Sequence, residues 1–272
     1  MKTVNVDSIS FATLRLRMCF QEPENALSVA TGFVYKRQDT HYLITNWHNV
    51  AGRNPTTKQC LSTTAAIPDI LWTHLRDPAQ PARVNRIKIG LYKDSEMQRP
   101  AWFEHPTHGN KVDVVAIPLV DDTSGKRYES FAINELDLDP QFEVIVADDA
   151  FVVGYPFNDA AHPQDLPIWK RASIATEPQL DIDRLPKLLI DTATRPGLSG
   201  SPVFMQRHGI HGMKASGFTG QEIFGRIRNF VGVYSGRIGE GELMAQLGVV
   251  WKARVIDEII DGRALGAKPE GP

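Results

Sequence analysis

The segment Gly197-Leu-Ser-Gly-Ser-Pro202 could present a nucleophile. Glycine adopts the backbone conformations that tight turns need, and two glycines flank Ser199 closely. The same turn can direct the backbone N–H groups of Gly197 and Ser199 toward one point, where they would stabilise an oxyanion. A Gly/Ser/Pro segment taken alone is more often an ordinary turn, so the serine indicates acyl transfer only if partners for it occur elsewhere.

Two other segments supply those partners. His48, in Thr45-Asn-Trp-His-Asn-Val50, follows an apolar run and could accept the serine proton. Asp113 interrupts the apolar run from Val112 to Ile117, where an unpaired carboxylate is costly to bury and a histidine N–H is a suitable partner. His48, Asp113 and Ser199 are therefore predicted to form a catalytic triad in which the carboxylate fixes the imidazole tautomer.

The elements that must position these groups are short strands. The 21 Gly and 18 Pro are spread along the whole chain, and short runs rich in Val, Ile, Phe and Tyr lie between them. One helix pattern is strong, because Trp251, Val255 and Ile259 fall at i, i+4 and i+8 and Gly262 ends the pattern. The sequence therefore predicts an all-β chain with a C-terminal α-helix.

Composition argues against several classes of partner. The formal net charge is −2, and no Lys/Arg run stands out, so neither nucleic acid nor a membrane is expected as a partner. Arg15 and Arg17 interrupt the only candidate for a signal peptide, and no segment approaches the roughly 20 apolar residues of a membrane-spanning helix. Cys19 and Cys60 are too few for a disulfide framework. These features predict a cytoplasmic protein.

Metal binding is the main rival chemistry. His105 and His108 lie three residues apart beside Glu104, and His208 and His211 repeat that spacing. Both pairs are predicted to fall in loops, without the helical spacing that puts two ligands on one face. They are interpreted as solvated or structural histidines, and no metal and no cofactor is expected.

The motifs together resemble the chymotrypsin-like (trypsin-like) serine peptidase superfamily, and its intracellular or bacterial members in particular. The chain order His48, Asp113, Ser199 is that family's order, whereas α/β-hydrolases and subtilisins use other orders. Asn49 stands where the family usually has a cysteine, and Leu198 stands where secreted members have an aspartate. Further matching segments follow in the family's order: Ala30-Thr-Gly-Phe-Val34, Glu104-His-Pro106, Gly197-Leu-Ser-Gly-Ser-Pro202, Gly232-Val-Tyr-Ser-Gly236 and Leu247-Gly-Val-Val250.

The resemblance implies two packed six-stranded antiparallel β-barrels with the active site in the cleft between them. The first barrel is expected to carry His48 and Asp113, and the second to carry Ser199. Residues 56–81 are expected to form inserted loops. The expected bounds are 1–125 for the first barrel, 126–139 for the linker, 140–250 for the second barrel, 251–262 for the helix and 263–272 for a flexible tail.

The resemblance further implies a serine endopeptidase whose partner is a protein or peptide substrate, and it admits a regulatory protein partner. Because no carboxylate stands at the expected base of the specificity pocket, an uncharged P1 side chain is predicted. The alternative is a non-catalytic protein-binding module with the peptidase fold, which usually lacks a triad member. The residues expected to bind substrate are Ala193 and Thr194 at the base of the specificity pocket, Gly236 and Gly248 along its walls, which two glycines would leave unobstructed, and Tyr234 and Ser235 in the strand that pairs with bound substrate.

Overall fold

Strands dominate the chain, as the spread of turn residues and β-branched runs predicts. The computed structural model describes residues 5–62, 65–120, 128–156, 165–193, 196–213, 217–237 and 247–269. The strands are β1 Thr13–Phe20, β2 Glu22–Arg37, β3 Thr40–Thr45, β4 Ile70–Asp77, β5 Gln80–Gly90, β6 Phe103–Glu104, β7 Val115–Pro118, β8 Asp149–Gly154, β9 Ile168–Ile174, β10 Lys187–Asp191, β11 Pro202–His211, β12 Ile223–Arg237, β13 Leu247–Lys252 and β14 Ala264–Leu265. The helices are α1 Ser8–Ala12, α2 Trp47–Ala51, α3 Arg254–Gly262 and a 3₁₀ turn at Ile133–Glu135.

The first sheet has the strand order β14-β6-β7-β3-β2-β1-β4-β5. The connection from β5 to β6 is held by isolated pairs, because Tyr92 forms a bridge with Pro100 and the Ala101 N–H donates to the Leu91 carbonyl at 2.9 Å. The sheet has eight strands where six were expected, because the C-terminal segment adds β14 and the stretch 56–81, expected to be loops, contains β4.

The second sheet is a closed six-stranded barrel in the order β10-β13-β12-β11-β8-β9. Closure occurs because β9 pairs with both β8 and β10, so that no strand of the barrel is left at an edge. Two antiparallel sheets followed by a C-terminal helix confirm the all-β fold class that the sequence predicts.

Three groups of buried apolar side chains hold these elements together, and the middle one joins the two sheets. Leu16, Leu43 and Trp102 belong to the group inside the first sheet. Val152, Ile190 and Val203 belong to the group inside the second barrel. Phe33 of β2, Phe204 of β11 and Ile256 of α3 belong to the group between the sheets. A core shared by both sheets therefore holds them against each other, beneath the cleft that is expected to contain the active site.

Helix α3 buries Val255, Ile256, Ile259 and Ile260, which confirms the predicted apolar stripe. It begins at Arg254 rather than at residue 251, because Trp251 pairs in β13 with strands on both sides. Within the described ranges, no helix has the length and apolar composition that crossing a membrane requires. Cys19 and Cys60 are not joined by a disulfide.

The C-terminal segment differs from the flexible tail expected over 263–272. Ala264 and Leu265 pair with β6, and the Gly266 N–H donates to the Trp102 carbonyl at 3.0 Å. A side chain at Gly266 would overlap the Trp102 indole, so glycine is required for this close approach. Ala264 and Leu265 therefore extend the first sheet, Gly266 packs against Trp102, and residues 270–272 of the expected tail lie outside the described residues.

Candidate active site

His48 and Asp113 lie side by side at the ends of neighbouring strands. His48 is the second residue of α2, which starts directly after β3, and Asp113 precedes β7, the strand paired with β3. The imidazole Nδ1 lies 2.7 Å from Asp113 Oδ2, and the His48 backbone N–H donates to Asp113 Oδ1 at 2.9 Å. Because a carboxylate accepts at Nδ1, the ring carries its hydrogen there and Nε2 is left able to accept a proton.

Asp113 is only 1% exposed and receives further hydrogen bonds. Ser235 of β12 donates its hydroxyl to Asp113 Oδ2 at 2.5 Å, and the side-chain amide of Asn46 donates to the Asp113 carbonyl at 2.7 Å. Several donors offset the cost of burying a carboxylate. Ser235 was expected in the strand that pairs with bound substrate, and the structure shows its hydroxyl on Asp113. The burial of Asp113 signals a need for donors, but no sequence pattern indicates that one comes from the other barrel.

The turn that carries Ser199 depends on two glycines. Gly197 and Gly200 have φ angles of 91° and 85°, which are left-handed conformations that favour glycine. A side chain at Gly197 would overlap the Tyr155 carbonyl, and one at Gly200 would overlap the Thr31 carbonyl. These two residues therefore bend the chain so that Ser199 stands partly exposed between them.

Backbone hydrogen bonds fix this turn to both sheets. The Thr31 N–H of β2 donates to the Ser199 carbonyl at 2.9 Å, and the Gly200 N–H donates to the Tyr234 carbonyl of β12 at 2.9 Å. The side-chain amide of Asn49, the residue after His48, reaches the Ser199 carbonyl at 3.4 Å. The turn therefore lies beside the helix that carries the imidazole.

Ser199 Oγ and His48 Nε2 make no hydrogen bond in the described part of the chain. Such contacts are often long in unliganded enzymes and shorten when substrate binds. The backbone N–H groups of Gly197 and Ser199 likewise donate to no acceptor among the described residues. Both N–H groups can therefore donate to an oxygen that develops negative charge.

The remaining residues expected to bind substrate are placed differently from one another. Ala193 is exposed after β10, and Thr194 lies outside the described residues. Gly236 has open space where a side chain would project, as a pocket wall requires. The expectation of an equally open wall at Gly248 is wrong, because the Tyr234 ring fills the space there. Tyr234 is 1% exposed within the core of the second barrel, so its side chain does not present a surface to substrate.

Glu104 is a buried carboxylate next to the histidine helix, and no role in positioning that helix was predicted for it. Its Oε1 accepts hydrogen bonds from the indole N–H groups of Trp47 and Trp102, each at 3.1 Å, and from the Ala267 N–H at 3.3 Å. Burial raises the pKa of Glu104, and these hydrogen bonds oppose the rise. Because Trp47 precedes His48, the carboxylate joins the C-terminal segment to the helix that carries the imidazole.

The paired histidines have structural partners. His105 accepts two backbone N–H groups at Nδ1, so its Nε2–H donates to Glu258, 2.8 Å away. His208 and His211 lie on β11 rather than in a loop, and His211 Nε2 lies 3.1 Å from a backbone carbonyl. Throughout the described ranges, no group of three or more His, Cys, Asp or Glu residues could hold a metal ion.

Comparisons with known proteins identify the family of this chain. The family model described as the trypsin-like peptidase domain matches residues 30–213. No curated protein matches the sequence. A similar solved structure is the active form of the Rv3671c protease from M. tuberculosis, with 15% identity, a TM-score of 0.46 and coverage of 97% of this chain and 88% of that chain. An inactive form of the same protease has 16% identity, a TM-score of 0.43 and coverage of 93% and 89%. Because the family model matches more than half of this chain, the chain belongs to the trypsin-like peptidase family.

Proposed function

We propose that this protein is a serine endopeptidase with Ser199 as nucleophile, His48 as general base and Asp113 as the group that orients the base. The observation that carries the proposal is the 2.7 Å contact between His48 Nδ1 and a carboxylate that is 1% exposed. That contact fixes the tautomer that an adjacent serine requires. The glycine-dependent turn supplies the serine beside it.

The reaction follows from these positions. Ser199 Oγ attacks the scissile carbonyl while His48 Nε2 takes its proton, and Asp113 stabilises the imidazolium that forms. The oxyanion accepts hydrogen bonds from the N–H groups of Gly197 and Ser199. When the intermediate collapses, the imidazolium gives its proton to the leaving amine, and water then hydrolyses the acyl-enzyme by the reverse sequence. No cofactor is needed for any step.

The proposed specificity is for uncharged P1 side chains. Neither Ala193 nor Thr194, expected at the base of the pocket, is acidic, so a Lys or Arg side chain would be desolvated there without a counter-charge. Apolar P1 residues should therefore be preferred. Strong cleavage after Arg or Lys in a peptide library would contradict this specificity.

Ser199 and Ser201 offer a matched pair for testing the nucleophile, because both lie in the same turn and only Ser201 is fully buried. A fluorophosphonate probe should label the wild type and Ser201→Ala but not Ser199→Ala. Ser199→Ala should lower kcat on a peptide substrate by about four to six orders of magnitude. A folded wild type that neither labels nor cleaves would instead favour the non-catalytic binding module. Loss of labelling in Ser201→Ala alone would show that the nucleophile is wrongly assigned.

A further inference from the structure

A groove of about 850 Å³ runs over the outer face of the first sheet, where β2, β1, β4 and β5 lie side by side. Arg15 and Arg17 of β1 and Arg86 of β5 line it, together with Trp72 of β4 and Val29 of β2. None of these residues belongs to the proposed triad or to the residues expected to bind substrate. The groove therefore combines guanidinium groups with apolar side chains at a place to which no role has been given.

One strand of the groove also contacts the serine turn. Val29 lies two residues before Thr31 on β2, so the two share one side of the strand. The Thr31 N–H donates to the Ser199 carbonyl at 2.9 Å, and Arg15 is the cross-strand neighbour of Thr31. Strand β2 therefore links the serine turn to the lining of the groove.

The electrostatics of the groove favour carboxylates. Among the described side chains, Arg17 and Arg86 form no ion pair with an acidic residue. Asp165, the one described carboxylate in the lining, lies 3.2 Å from His74 Nδ1. The hydrogen bond from His74 makes the largest contribution to lowering the pKa of Asp165. Two guanidinium groups are thus available to an acidic ligand, and the described carboxylate in the lining already has a partner.

The contact between Trp72 and Arg86 favours a peptide over a nucleic acid as the ligand of the groove. Single-stranded nucleic acids bind through arginines and through bases stacked on aromatic rings. The Arg86 guanidinium lies 4.2 Å from the centre of the Trp72 ring and covers the face on which a base would stack. Val29 of β2 and Val84 of β5 add aliphatic surface to the lining. These features suit a peptide in which acidic and apolar residues are mixed.

We propose that this groove is an exosite that binds an acidic, apolar-containing segment of the protein substrate, outside the part that is cleaved. The proposal rests on the proposed function, because it assigns the groove to the same substrate. Binding to the groove does not require chemistry, so it can be measured in a variant that cannot cleave.

The first test measures binding to full-length Ser199→Ala protein by fluorescence anisotropy. The probe is a labelled synthetic peptide in which Glu alternates with Leu, and the reference is the same peptide with Gln in place of Glu. The Glu peptide should bind more tightly, and its affinity should fall as salt rises. Arg17→Glu should weaken binding by about tenfold. The matched control is Arg83→Glu, which makes the same charge change at an exposed position on β5 outside the groove lining and should not weaken it.

Equal binding of the Glu and Gln peptides, or equal effects of Arg17→Glu and Arg83→Glu, would overturn the exosite. Tighter binding of a single-stranded DNA oligonucleotide than of the Glu peptide, with the same loss in Arg17→Glu, would overturn its assignment to a peptide.

The second test measures cleavage of two peptides that share one cleaved segment, only one of which carries an acidic and apolar extension. The extended peptide should have the lower KM with little change in kcat, and Arg17→Glu should remove this advantage while Arg83→Glu keeps it. Binding of the Glu peptide without any cleavage would contradict the proposed function and support the groove. Cleavage of both peptides at equal KM would contradict the groove and leave the proposed function intact.

Discussion

The two sides of the active site are held in place by different means. On the histidine side, side chains do the positioning, because Asp113 receives hydrogen bonds from His48 and from the Ser235 hydroxyl. On the serine side, the backbone does most of it, because the turn depends on the left-handed Gly197 and Gly200 and on main-chain hydrogen bonds to Thr31 and Tyr234. The side chains of Thr31 and Asn49 add one hydrogen bond each, to the carbonyls of Gly197 and Ser199.

This difference determines how each side should respond to substitution. Replacing one polar side chain on the histidine side should change the chemistry while leaving the fold almost intact, since the backbone there belongs to regular strands and a helix. Adding a single methyl group on the serine side should change the fold of the turn itself, since the turn has no room for it. The four predictions that follow test this contrast, beginning with the largest expected effect.

Asp113→Asn should lower kcat by about four orders of magnitude, because an amide no longer fixes the Nδ1–H tautomer of His48 or stabilises the imidazolium. The measurement is kcat on a saturating ester or peptide substrate. The midpoint of thermal unfolding should change little in comparison. A loss of activity that is matched by unfolding would contradict the idea that side chains on this side serve the chemistry alone.

Gly197→Ala should lower the free energy of unfolding by about 3 kcal/mol, because the new methyl group meets the Tyr155 carbonyl in addition to the cost of a left-handed alanine. Chemical denaturation measures the change. Gly217→Ala is the matched control, since Gly217 has a similar φ of 102° with open space around it. The control should lose only about 1–2 kcal/mol. Equal losses would show that the crowding at Gly197 has no energetic consequence.

Glu104→Gln should weaken the pH dependence of the free energy of unfolding, because Glu104, on the histidine side, contributes to that dependence. Because burial raises the pKa of Glu104, its protonated form is favoured in the folded state, and stability is lost as pH rises from the ordinary range of a glutamate through the raised pKa. Urea unfolding at a series of pH values should therefore show a decline in the wild type that is smaller in Glu104→Gln. The exposed Glu177→Gln controls for the loss of one negative charge. Identical pH profiles for wild type and Glu104→Gln would contradict this account.

Ser201→Ala should have the smallest effect. Ser201 Oγ is buried without a hydrogen-bond partner among the described side chains, so its removal should change the free energy of unfolding by no more than about 1 kcal/mol. Activity should be retained, because the backbone N–H of residue 201 still donates to the Leu198 carbonyl. A large loss of activity in a stable variant would show that a side chain, and not only the backbone, positions the serine side.

The sequence by itself determined the fold class, the family and the pairing of His48 with Asp113. The fold class and the pairing follow from local information, namely apolar runs interrupted by turn residues and a carboxylate in a run where it needs a partner. The family follows from the resemblance of several motifs and of their order along the chain. The glycines at 197 and 200 were interpretable because a tight turn restricts the backbone in a way that depends only on neighbouring residues.

Only the tertiary structure decided which residues surround those groups. The Ser235 hydroxyl reaches Asp113 across 122 residues, and the Ala267 N–H reaches Glu104 across 163. The same applies to the Tyr234 ring beside Gly248 and to the groove that Arg17 and Arg86 share. Spacing along the chain carries no information about such contacts, because they depend on how two sheets pack and on the register of their strands.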